Sequence, residues 1–143
     1  MIRKLLRSAV FAGLGMLAVL MSYGAAANAG DPKDDLPDIS EIMKKGHHKT
    51  DGYLARIKAA AKDGKWEDAS KDAKSLVLLG DALGKNKPPK GDPKSWEALT
   101  KKYQENTVAV EKAVAAKDVK GVDGGIGAIQ KMCGDCHSQH KPK

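Results

Sequence analysis

Large aromatic side chains are scarce in this chain. They make up 4% of its 143 residues, and its one phenylalanine, Phe11, lies within the first thirty. Beyond residue 30 only Tyr53, Trp66, Trp96 and Tyr103 remain, so a core built from this segment lacks the large apolar bodies that normally fill one. Cysteine is absent up to Cys133 and Cys136, which excludes a disulfide scaffold and a lipid anchor on an N-terminal cysteine. There are no alternating apolar and polar runs of the kind strands need, and no internal repeat. The net charge of +7 comes from lysines interleaved with acids, a solvated surface rather than a stripe for nucleic acid. Scattered carboxylates, no nucleophile elbow and no glycine-rich phosphate loop leave no enzyme constellation and no small-molecule substrate to infer.

What the chain does have is Cys133-Gly134-Asp135-Cys136-His137, close to its end. Side chains three apart on a helix stand nearly one above the other, so Cys133 and Cys136 present two sulfurs to one edge of a flat ring. His137 follows by about 100° of rotation and can turn its imidazole toward the centre of that ring. This is the spacing by which thiols add to the vinyl groups of haem while the histidine ligates its iron, so one covalent haem c is expected, with Cys133 and Cys136 as attachment points and His137 as a metal ligand. A porphyrin would also supply the missing core volume. Two other chemistries use the same residues. A zinc site could add His140 to the two thiols. A dithiol redox couple would need a helix N-terminus to lower a thiol pKa, usually in a strand-bearing fold.

The first thirty residues read as an export signal. Arg3, Lys4 and Arg7 form a basic start, Ala9 to Met21 an apolar core, and Ala27-Asn28-Ala29 a cleavage site. An uncleaved anchor is the competing reading, because no charge interrupts Ser8 to Gly30. The domain plan is therefore a signal peptide over 1–29, a flexible arm over 30–38 and a haem-binding bundle over 39–143. Cleavage would leave 114 residues with 22 basic and 18 acidic side chains, enough for one modest core. Export to the periplasm agrees with covalent haem, which bacteria attach outside the cytoplasm.

Four amphipathic segments follow. Asp38 is a helix N-cap with Glu41 as capping-box partner, and Ile39, Ile42, Met43, Gly46, His47, Leu54, Ile57 and Ala61 draw one apolar face to about Asp63. Gly46 and Gly52 weaken a continuous helix and offer a break around Asp51-Gly52 instead. The second segment carries Trp66, Ala69, Ala73, Leu76, Val77 and Leu83 inward and ends at Gly84. Paired prolines Pro88 and Pro89 interrupt the chain. Asp92-Pro93 restarts it as N-cap and first-turn proline, and Trp96, Leu99, Tyr103, Val110, Ala113 and Val114 follow on one face. In the last segment Val119, Val122, Ile126, Ile129, Cys133, Cys136 and His137 share a face; Gly121, Gly124, Gly125 and Gly127 allow either a frayed or late-starting helix, which the turn signal Asp123-Gly124-Gly125 favours, or close packing of haem on backbone. The expected fold class is all-α, an antiparallel up-down-up-down four-helix bundle with haem attached near the C-terminus of its last helix.

Four helices ending in this motif resemble the class II cytochromes c, the group of cytochrome c-prime and its low-spin relatives. The resemblance spans residues 30–143 in architecture but rests on the motif and its flanks in residues. It implies that His137 is the fifth iron ligand and that a methionine early in the first helix, here Met43, is the sixth. Family members often carry an aromatic and then a basic residue three and four positions after the histidine. Here His140 and Lys141 stand there, so the basic residue is kept and the aromatic replaced. His47, one turn beyond Met43, is the rival ligand, and an open sixth site is the third possibility. A haem ligated on both faces carries single electrons, whereas an open one binds small gases. Lys131, Lys141 and Lys143 flank the motif and suggest a positive collar for redox partner proteins with an acidic docking face. A homodimer is compatible with the sequence.

Overall fold

Asp38 caps the first described helix by accepting a hydrogen bond from the Glu41 backbone N–H at 2.7 Å. The Glu41 carboxylate turns to Lys45 at 2.5 Å, so only one half of the expected capping box is made. The computed structural model describes residues 36–143, in which all regular structure is helical: α1 (Ile39–His47), α2 (Tyr53–Lys62), α3 (Trp66–Lys85), α4 (Pro93–Ala115) and α5 (Val119–His140). The export signal, its cleavage site and residues 30–35 of the arm lie outside the described residues. No helix among the described residues is long and apolar enough to cross a membrane.

The expected first helix is two helices. The break runs from His48 to Gly52, and a Cβ added to Gly52 would stand 2.5 Å from the His48 backbone nitrogen. Glycine at α2's N-cap therefore permits a tight reversal that any larger residue would open. Helices of 9 and 10 residues are too short to persist by themselves, so packing must hold them. Ile42 and Ile57, both fully buried, do this, each contributing about 1.5–3 kcal/mol. An Arg56 guanidinium also donates to the buried Asp72 carboxylate at 2.7 Å and ties α2 to α3.

The second and third segments, now α3 and α4, follow the sequence closely. Asp92 caps α4 by accepting from the Ser95 N–H at 2.9 Å, with Pro93 in the first turn. The start of α5 differs from expectation. The helix begins at Val119 and runs through Gly121, Gly124, Gly125 and Gly127 without fraying, although Val119 itself is exposed. Burial of Val122, Ile126 and Ile129 outweighs the cost of about 1 kcal/mol for each glycine. A Cβ on Gly125 would come 2.7 Å from Val110 Cγ2, so the close packing allowed there is of α5 on α4. Contacts run α2 to α3, α3 to α4, α4 to α5 and α2 to α5, while α1 leans on α2 and α3.

Candidate functional site

Cys133 and Cys136 lie in the C-terminal third of α5, with both thiols free. Burial raises the pKa of each, and for Cys136 the neighbouring Cys133 raises it further. The sulfurs therefore stay protonated at neutral pH. A dithiol redox couple needs the opposite, a thiolate favoured by a helix N-terminus, and the C-terminal end of a helix disfavours the anion. No group of three or more His, Cys, Asp or Glu side chains among the described residues could hold a metal ion by itself, so the expected alternative of two thiols with His137 and His140 has no assembled zinc site.

Three cavities meet around the motif. A cleft of about 440 Å³ is lined by Ile39, Met43, Trp96, Cys136, His137 and Lys141, among others. An inner cavity of about 130 Å³ is walled by Leu83, Leu99, Ile129 and Met132 and shares Met43, Cys136 and His137 with the first. Cys133, His47 and Tyr103 line it too. A lateral cleft of about 340 Å³, between α2 and α5, reaches the backs of His47 and Cys133. The larger cleft falls in the 300–1,000 Å³ range usual for small-molecule and cofactor sites. Folding thus brings four sequence-picked residues together: Met43 from α1 faces the same space as Cys133, Cys136 and His137 from α5. An imidazole, a thioether and two thiols against apolar walls is a donor set that suits c-type haem, with two sulfurs to hold the ring and two ligands of the kinds found on its iron.

His47 is also present, but it is engaged. Its Nε2 lies 2.9 Å from the hydroxyl of Tyr103, which is buried on α4. Burial lowers the His47 pKa, and the nearby His137 pushes it the same way. Burial raises that of Tyr103 well above its ordinary value, with the Cys133 thiol adding to the effect. Both rings therefore remain neutral across the physiological range. Because the folded pKa of His47 is depressed, its contribution to stability is present above the unfolded value of about 6.5 and is lost as pH falls through the folded one. The melting temperature is accordingly expected to fall between pH 7 and pH 5, at up to about 1.4 kcal/mol per pH unit, and His47→Gln should flatten that slope. An unchanged slope in the variant would assign the acid sensitivity to other groups.

His140 belongs to the frame of the site. It is 1% exposed; its Nδ1 donates to the Lys90 carbonyl at 2.9 Å, its Nε2 lies 3.1 Å from Ser95 Oγ, and it meets the Trp96 ring edge-on at 5.2 Å. Trp96 Nε1 in turn donates to the Asn86 carbonyl at 2.8 Å, and Asn86 Nδ2 donates to the Pro37 carbonyl at 3.1 Å. This path of one ring contact and two hydrogen bonds runs from the end of α5, through Trp96 of α4 and the end of α3, to the residue before the α1 cap. It ties the helix that carries His137 to the helix that carries Met43. Gly91 makes room for it, with φ +85 and a position where a Cβ would stand 2.9 Å from His140 Nδ1. Sequence reading found His140 only as a replaced aromatic and as a zinc candidate, and it missed the roles of Tyr103 and Asn86. Their partners lie 49 to 56 residues away, beyond any local signal.

Comparison of the chain with protein-family models, with curated proteins and with solved structures returns no match.

Proposed function

We propose that this chain is an exported mono-haem c-type cytochrome that carries single electrons, built on a four-helix bundle of α2 to α5 with α1 folded over one end, and related to the low-spin class II cytochromes c. The observation that carries the reading is the convergence of Met43 with Cys133, Cys136 and His137 on one pair of adjoining apolar cavities. Haem bound there would supply a one-electron ferric and ferrous couple. Cys133 and Cys136 would hold it covalently, and His137 and Met43 would supply the two protein ligands to its iron. Leu83, Leu99, Ile129 and Met132 keep water from the inner side, and the contacts from His140 to Pro37 hold α1 and α5 in register. A preset frame of this kind lets an electron come and go with little rearrangement of the chain. The experiment is maturation with a cytochrome c assembly system, followed by a pyridine haemochrome assay and reduced and oxidised visible spectra. One covalent haem per chain with a low-spin ferric spectrum supports the reading; haem extracted into acid acetone overturns it.

Gas binding at an open haem is the second reading, and the position of Met43 on both cavities argues against it. High-spin ferric protein that takes up carbon monoxide would favour it nonetheless.

Lys141 lines the larger cleft, and Lys131 and Lys143 are exposed near it in sequence. With an acidic redox partner, a positive collar at the cleft mouth would speed encounter, and salt would weaken it over a screening length of about 8 Å. Electron transfer to an anionic small reagent is therefore expected to slow as salt rises, and transfer to a cationic one to quicken. Rates indifferent to salt in both cases would remove the collar.

A further inference from the structure

The first helix presents two ligands for one position. Met43 and His47 stand one turn apart on α1, and both line the inner cavity with His137. Imidazole is a good ligand for iron, so an unrestrained His47 would compete with the softer thioether. The structure restrains it. The Tyr103 hydroxyl has one proton, and His47 is its only hydrogen-bond partner among the described residues. Were the hydroxyl to accept from His47, its own proton would be buried without a partner, at a cost of about 1–3 kcal/mol. It therefore donates, and the Nε2 lone pair is occupied.

We propose that Tyr103 determines which side chain of α1 reaches the sixth axial position: by donating to His47 Nε2 it fills the lone pair a metal would need and leaves the position to Met43. The inference rests on the c-type cytochrome reading above. In Tyr103→Phe the ring that packs the core is kept and only the restraining proton is removed. His47 Nε2 would then be free on the cavity that it shares with His137 and would compete with the Met43 thioether for the metal. No electron or proton is consumed in that exchange, since a neutral nitrogen donor replaces a neutral sulfur donor. Tyr103 thus acts through His47 as a positioning residue.

The test uses haem-loaded full-length protein, read by the weak far-red sulfur-to-iron band of the ferric form and by electron paramagnetic resonance. Tyr103→Phe is expected to lose that band while staying low-spin with a bis-imidazole signature. Tyr103→Phe with His47→Gln is expected to regain the band, because the competitor is gone. Retention of the full band in Tyr103→Phe overturns the proposal. So does a band that stays absent in the double variant, since Tyr103 would then act by packing alone. A wild type with covalent haem but no band defeats Met43 ligation, and a wild type without covalent haem defeats the cytochrome reading itself; each is seen before any variant is compared.

Discussion

Met43→Ala is expected to abolish the sulfur-to-iron band, lower the reduction potential and open the haem to carbon monoxide. Methionine opposite histidine favours ferrous iron, so removing the thioether should lower the potential on the order of 0.1 V, a modest part of the roughly 0.8 V that axial ligands span. The side chain is half-buried against the core and lines both cavities, so its loss enlarges the space beside the motif without dismantling α1, which Ile42 anchors. Because Tyr103 retains His47, the variant should be high-spin. Adding Tyr103→Phe should restore a low-spin spectrum through His47. A Met43→Ala protein indistinguishable from wild type in spectrum and potential would remove Met43 from the site.

Replacing both Cys133 and Cys136 by alanine is expected to abolish covalent haem and to loosen the fold. Wild-type protein should have the mass of the chain from Gly30 plus one haem, with colour that survives acid acetone. The double variant should have neither. Leu83, Leu99, Ile129 and Met132 would then face water in the emptied cavity, and few aromatics are available to collapse into it. The melting temperature should drop on the order of 10 °C, as a loss of a few kcal/mol does in a domain of about 100 residues. Near-ultraviolet circular dichroism should weaken while helix content largely persists. A variant as stable as the haem-loaded wild type would show that the core does not depend on the cofactor.

Much of this molecule was legible residue by residue. Asp38 and Asp92 cap helices where their side chains predict it, and Pro93 sits in the first turn of α4. The inward faces of α3 and α4 were largely read from periodicity, with Trp66, Val77, Leu99 and Ala113 only partly buried. The break at Gly52 is among the readings the sequence allows, but the start of α5 is misread at its glycines. Gly52 caps the start of α2 after the break that follows His47, whereas Gly121, Gly124, Gly125 and Gly127 run inside α5, although intrinsic propensity treats them alike. Gly52 stands against the His48 backbone and Gly125 packs on Val110 of α4, whereas Gly124 and Gly127 meet nothing and are held helical by the burial of Val122, Ile126 and Ile129 around them.

The sequence by itself determined the helical periodicity, the caps and the spacing of Cys133, Cys136 and His137, because these follow from covalent geometry within a few residues of each other. Only the tertiary structure decided that Met43 shares cavities with His137, that Tyr103 holds His47 at 2.9 Å across 56 residues, and that His140 is a buried tie to Lys90 and Ser95. The physical reason is that periodicity states which face of a helix turns inward but not which helix it will meet. That choice is made by the packing of whole helices, where Gly125 on Val110, Arg56 on Asp72 and the bonds through Asn86 set the approach of elements far apart in the chain.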